Sequence, residues 1–389
     1  MEKKEYTLFS LIEIRFADPI SAIALSNNFL IIGSTMGRIT LQSLEDGKTV
    51  LISELSTENI SGISFSNDEY SFFVAIGDEQ VLKFPSDTSI IGPIKRILNY
   101  PNEKEHNIHC ENSFIFIYSN FLFKILLSPL EERNITIVNY NADFEIKNLN
   151  NEYCEKGTFN MTNYSVPLDF DSHFFVWVEF LSELEKKLCV ANLDNLKEKP
   201  IKKLFKSDFG HISHCKIYPG NKIFLVRKFN ICEIREINKD FSLLHSFISF
   251  GEEVYAVDIF CEQEQKFLFR NDIEKTYIEN KNNSDIFNQP YKNIPTTINN
   301  NITGNFINKN EIIDFKNVCI YLLDINGNVN FWDGNNIKTL FNLYDIKNIN
   351  QVEKNKKFFS MGYSYYIKCN NNFICITSDH GCYVIKKPG

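Results

Sequence analysis

His106-Asn-Ile-His109-Cys110 and His211-Ile-Ser-His214-Cys215 repeat one spacing of two imidazoles and a thiol. Such groups suit zinc, which takes about four of them in a tetrahedron. Neighbouring residues in a strand, however, point to opposite faces. His109 and Cys110, like His214 and Cys215, are therefore expected to turn apart. Both copies fall where a loop leads into an apolar run, and a repeating fold accounts for the recurrence without a metal. These six residues are the metal candidates, and no metal or other cofactor is expected at them.

Asp324-Ile-Asn-Gly-Asn-Val has the opening of a calcium loop. Its glycine stands fourth rather than sixth, and Asn335 stands where a bidentate glutamate is needed. A hairpin turn is the expected reading. Nucleophilic catalysis has no Gly-x-Ser-x-Gly elbow to rest on, and phosphate transfer has no glycine-rich loop ending in lysine. With 16 glycines in 389 residues there is little material for either. No catalytic residue is assigned, and a non-enzymatic chain is expected.

The elements that must position these residues are strands. The chain is 43% hydrophobic and carries 35 Phe and 17 Tyr, ample for a core. Its formal net charge of -8 argues against a general nucleic-acid binder or a polybasic membrane-surface protein. Asn reaches 47 residues, a bias pointing to an A+T-rich eukaryotic genome such as a protist's. The start, Met-Glu-Lys-Lys-Glu-Tyr, lacks an apolar signal core, and Ser113 to Leu130 is broken by Ser119-Asn120, Lys124 and Pro129. Two adjacent strands are expected there instead of a membrane span. The ten cysteines include no CxxC pair and lie mostly in apolar runs, as buried reduced thiols do. A cytoplasmic protein is expected, with cytoskeleton, cilium and nucleus open to it.

Short runs rich in Ile, Val, Phe and Tyr alternate with turn residues along nearly the whole chain, an all-β signature. They group at about 40 to 45 residues, the period of a propeller built from four-stranded blades. The clearest unit runs from Val318 to Asp333: a strand to Asp324, a tight turn at Asn326-Gly327, and a strand ending in Trp332-Asp333. Leu30 to Leu41 with Gly37, Phe72 to Phe84, and Phe373 to Ile385 with Asp379 and Gly381 repeat strand, turn and strand. Gly210-His211, with the strand, Pro-Gly turn and strand that follow, supplies the opening half of a unit.

These residues resemble the repeats of the WD40 family. The resemblance covers nearly the whole chain as one domain, 1–389, and implies a β-propeller of seven or eight four-stranded blades. Blade starts are expected near residues 19, 59, 105, 165, 210, 252, 311 and 359. The last window holds three strands, and Tyr6 to Ile14 is expected to complete it and close the ring. No blade carries the family's full His, Ser or Thr, Asp and Trp set. The Trp position is Gln42, Phe84 and Lys386 in the first, second and last blades. Residues 281–310, rich in Asn, and residues 141–164 are expected to be insertions.

The resemblance implies a non-enzymatic scaffold for other proteins, a subunit of a eukaryotic assembly with a cytoskeletal, ciliary or trafficking leaning. Homo-oligomerisation is left open. A phosphoinositide- or RNA-binding propeller is one alternative, and an enzyme with a site in the central channel is another. The phosphoinositide-binding family carries Phe-Arg-Arg-Gly, whereas the nearest match here is Phe269-Arg270-Asn271-Asp272, with an acid where an anionic headgroup would sit. Lys197, Lys199, Lys202, Lys203 and Lys206 are a basic cluster able to bind RNA or an acidic partner, and are read first as the lysines of a solvated strand edge.

Overall fold

The computed structural model describes residues 5–14, 17–65, 69, 71–77, 80–85, 95–99, 112–118, 121–127, 134–140, 153–160, 165–171, 173–181, 185–205, 212–228, 230–238, 240–249, 253–261, 318–346, 349, 359 and 365–388. They form seven four-stranded antiparallel sheets. The first holds β2 (Ile20–Leu25), β3 (Phe29–Ser34), β4 (Arg38–Ser43) and β5 (Thr49–Glu54), in that order. The second holds β6 (Ile60–Phe65), β7 (Ser71–Ile76), β8 (Gln80–Pro85) and β9 (Lys95–Asn99). β10 (Asn112–Tyr118), β11 (Phe121–Leu127), β12 (Asn134–Tyr140) and β13 (Tyr153–Asn160) make the third. The fourth is β14 (Ser165–Phe170), β15 (Phe174–Phe180), β16 (Lys186–Asn192) and β17 (Ile201–Phe205). The fifth is β18 (Ile212–Tyr218), β19 (Lys222–Arg227), β20 (Ile231–Glu236) and β21 (Leu243–Ile248). β22 (Val254–Cys261), β23 (Val318–Asp324), β24 (Asn328–Trp332) and β25 (Ile337–Asn342) make the sixth. The seventh is ordered β1 (Thr7–Glu13), β28 (Gly381–Lys386), β27 (Phe373–Ser378), β26 (Ile367–Cys369).

The fold is all-β and propeller-like, and eight expected windows resolve into seven sheets. The windows at 252 and 311 are one sheet: β22 pairs directly with β23, although Glu262 to Asn317 separate them in sequence. The turn at Asn326-Gly327 joins β23 and β24, the second and third strands of that sheet. Residues 141–164 also need correcting, because they contain β13, the fourth strand of the third sheet. Residues 281–310 lie outside the described ones. Ser113 to Leu130 does form two paired strands, β10 and β11. Among the described residues no helix is long and apolar enough to cross a membrane.

Burial falls from the middle strands to the last. All of β27 is buried, as is nearly all of β7, whereas β5 and β21 show an alternating, mostly exposed pattern. Apolar side chains pack between sheets. Ala22, Ile31 and Leu41 of the first sheet meet Ile60, Phe72 and Val74 of the second. Further layers join the fourth sheet to the fifth, the fifth to the sixth, the sixth to the seventh, and the seventh to the first.

Two irregularities recur. In β2, β6, β18 and β22 the ladder to the second strand slips by one residue at the strand's start, and in β14 it slips between Pro167 and Asp169, a β-bulge each time. A second bulge separates the third and fourth strands of the first, second, third, fifth and sixth sheets. Bulges raise the local twist of a sheet.

Candidate functional site

The first strands of the sheets bring together most of the polar chemistry. At three of their bulges the extra residue is serine: Ser21, Ser61 and Ser213. Each hydroxyl donates to a carbonyl of its own sheet's second strand or the residue after it, Gly33, Gly77 and Val226 respectively. A bulge leaves backbone groups out of the ladder, and an adjacent hydroxyl satisfies one of them. Ser21 Oγ also reaches the Ile60 carbonyl of the second sheet at 2.8 Å. Tyr366 of the seventh sheet's leading segment donates to the Ser21 carbonyl at 2.7 Å. His214 Nε2 meets the Val254 carbonyl, the first residue of the sixth sheet, at 2.7 Å.

Two carboxylates repeat one arrangement across different pairs of sheets. Asp169 of β14 accepts from Lys216 Nζ at 3.1 Å and from the Ile217 N–H at 2.8 Å, both on β18. Asp258 of β22 accepts from Lys368 Nζ at 3.0 Å and from the Cys369 N–H at 2.8 Å, both on β26. The Asp169 charge holds the Lys216 ammonium above the usual lysine range. With a cation on one oxygen and a backbone donor on the other, each carboxylate is a tie between sheets. No local spacing announces these pairs, since the lysines lie 47 and 110 residues downstream of their aspartates.

A third charged group sits between the fourth and fifth sheets. Arg227 and Glu233 are buried and paired at 3.0 and 3.1 Å, and Arg235 Nε adds a bond to Glu233 at 2.8 Å. Both guanidinium groups lie over the Phe205 ring, at 5.0 and 5.7 Å from its centre. In the fourth sheet itself the fully buried Glu179 accepts from Lys202 Nζ at 2.7 Å. Among the lysines read as an edge, Lys202 and Lys203 are on β17, the last strand of its sheet, and Lys203 donates to the Asp240 carbonyl at 2.9 Å. Lys206 lies outside the described residues.

The metal candidates divide the same way. His106, His109, Cys110 and His211 lie outside the described residues, as do Gly210 and the Phe269 to Asp272 segment. Cys215 is buried in the apolar layer between sheets four and five, whereas His214 turns to the Val254 carbonyl. Burial pushes the Cys215 thiol well above its usual range. No group of three or more metal-ligating residues is present among the described residues.

The repeat-signature residues act in turns and in packing. Asp324 is fully buried and accepts from the N–H groups of Asn326 and Asn328 at 2.9 Å, holding the turn in which Gly327 has φ 78°. Trp332 stacks on Phe247 of the fifth sheet with centroids 5.3 Å apart, and its buried Nε1 has no hydrogen-bond partner among the described residues. Asp333 accepts from Asn335 and Asn336 N–H groups, which hold its carboxyl below the usual range. Phe84 stacks on Phe72 at 5.0 Å. Gln42, at another Trp position, accepts from Ser10 Oγ of β1 at 2.8 Å. Gly37 sits in the β3–β4 turn, and Asp379 accepts from the Tyr365 hydroxyl. A Cβ at Gly381 would lie 2.1 Å from the Ile12 carbonyl oxygen, so only glycine lets β1 approach there.

The largest exposed apolar side chains lie away from these ties. Met36, in the β3–β4 turn, is 57% exposed, and Ile52 on β5 is 55% exposed. On β21, Leu243, Leu244 and Ile248 are exposed too.

No protein-family model matches the chain, and no curated protein matches it. Among solved structures it is similar to the crystal structure of the computationally designed Ika8 protein, over 98% of this chain and 100% of that one. The TM-score is 0.51 at 10% identity, a likeness of fold alone.

Proposed function

We propose that the chain is a WD40-like β-propeller whose seven sheets form a closed ring, acting as a non-enzymatic scaffold for other proteins. Six of the sheets stack in the order four, five, six, seven, one, two, and β10 of the third packs on β6 of the second, which supports the ring. The observation that carries the scaffold reading is where side-chain chemistry is spent. Asp169, Asp258 and Glu233 are bonded to cations within the sheet stack, while the first sheet turns Met36, Val50 and Ile52 to solvent. Exposed apolar groups on a rigid frame suit protein partners better than small-molecule chemistry.

A tagged pull-down at near-physiological salt tests this, comparing wild type with Met36→Lys/Ile52→Lys. A stoichiometric partner set retained by wild type and lost by the variant supports the scaffold. Binding instead to phosphoinositide vesicles or RNA, unchanged in the variant, refutes it in favour of a lipid- or RNA-binding propeller.

A further inference from the structure

Among the described residues the outer strand of each sheet, β1 in the seventh and the fourth strand in the others, has a strand neighbour on one side only, which leaves a row of N–H and C=O groups able to take another strand. At one end of the sheets the strands pack on those of the next sheet, β2 on β6, β18 on β22 and β22 on β26; of the seven strands at the opposite ends, six carry formal charge: Glu13 on β1, Glu54 on β5, Lys95 and Arg96 on β9, Glu155 and Lys156 on β13, Lys202 and Lys203 on β17, and Lys338 on β25. The seventh, β21, reads Leu-Leu-His-Ser-Phe-Ile and has no acid, lysine, arginine, proline or glycine. Charged edges resist pairing with themselves, because each would have to desolvate its own charges against an identical strand. β21 meets no such penalty.

Its geometry is that of an available edge. The Ser249 N–H donates to the Asn230 carbonyl at 2.9 Å, and Ile248 is opposite Ile231. In an antiparallel ladder the bonding residues alternate, so Phe247 and His245 bond β20 while the N–H and C=O of Ser246 and Ile248 face outward. The side chain of Ser246 is exposed and Ile248 is 64% exposed.

We infer that β21 pairs antiparallel with β21 of a second copy of this chain, about a two-fold axis through Ser246. In that register Ser246 meets Ser246, and its N–H and C=O form two reciprocal bonds. Ile248 meets Leu244, so apolar side chains cover apolar side chains on one face. The arrangement is self-complementary and closes at two copies. It goes beyond the scaffold reading, since the copies meet on the fifth sheet and the exposed groups offered to other proteins lie on the first.

The test is the solution mass of the full chain by light scattering and sedimentation up to about 100 μM, a range suited to a short interface. Wild type is expected to shift toward twice 45.3 kDa as concentration rises. Ser246→Lys and Ser246→Glu, which each place like charges at the two-fold axis, are expected to stay monomeric while melting as wild type does. Mixing the two variants is expected to restore the dimer. Ile248→Lys, at a solvent-facing position, is a further variant expected to be monomeric. A wild type that stays monomeric across the range overturns the inference, as does a dimer that persists in both Ser246 variants.

Discussion

Deleting residues 1–13 should destabilise the whole fold, because β1 is the fourth strand of the sheet that also holds the chain's last strands. It pairs with β28 from Thr7 opposite Lys386 to Glu13 opposite Gly381. Ile12 is 6% exposed, and Leu8, Phe9 and Leu11 pack partly buried against the apolar layers on either side of the seventh sheet. Taking about 2 kcal/mol for Ile12 and about 1 kcal/mol for each of the other three gives roughly 5 kcal/mol. That is comparable to the net stability of many proteins. Unfolding entropy near 2.1 cal/mol/K per residue, over 389 residues, is about 0.8 kcal/mol/K, so the loss lowers Tm by about 6 °C. Gly381→Val should produce most of that shift with β1 still in the chain, since its Cβ would strike the Ile12 carbonyl. A synthetic peptide of residues 5–14 should recover part of it in the truncated protein. Calorimetry and far-ultraviolet circular dichroism measure all three, and a truncation melting cooperatively within about 1 °C of wild type would refute the reasoning.

Glu233→Gln should cost about 3–5 kcal/mol in urea unfolding, because it leaves the buried Arg227 guanidinium without its counter-charge. An unchanged midpoint would show that the guanidinium groups over Phe205 need no carboxylate. Asp258→Asn should cost about 1–3 kcal/mol, the worth of a charged hydrogen bond, with the larger loss for Asp258→Ala, which also orphans the Cys369 N–H. Equal losses for the two variants would contradict the bridging role. The pH dependence follows from the thiols: burial raises Cys215, Cys369 and Cys375 well above the ordinary value of about 9 and pushes Cys382 up to about 12. Above about pH 9 unfolded thiols ionise while these keep their protons, so the folded state binds more protons and stability falls as pH rises. The Tm should drop from pH 9 toward 11, less steeply in Cys375→Ala; a flat profile would show the thiols ionising freely in the native state.

The starts of the first strands were legible because each combines an apolar run with a turn signal at a regular interval. Windows near 19, 59, 165, 210 and 252 meet strands beginning at Ile20, Ile60, Ser165, Ile212 and Val254. The window at 311 misled because Glu262 to Asn317 separate the first strand of the sixth sheet from its second, so that one sheet spans more than the regular interval. The inter-sheet ties were hidden for a different reason: Asp169 finds Lys216, and Asp258 finds Lys368, only once the sheets are stacked. One local recurrence marks the bulges themselves. Ile-Ser stands at 20–21, 60–61 and 212–213, and in each copy the serine is the bulged residue. Cys215 followed from strand alternation, which puts it in the apolar layer while His214 bonds the next sheet.

The pairing of β1 with β28 also sets a schedule for synthesis. Each of the other six sheets is built from strands made in succession, so it can form as its own segment emerges. β1 is made about 370 residues before its partner, which at ~5–20 residues per second is a wait of roughly 20–75 s. Through that time Leu8, Phe9, Leu11 and Ile12 belong to a strand with no ladder to join, on a chain whose earlier sheets are already assembling. The seventh sheet is then the last to be completed.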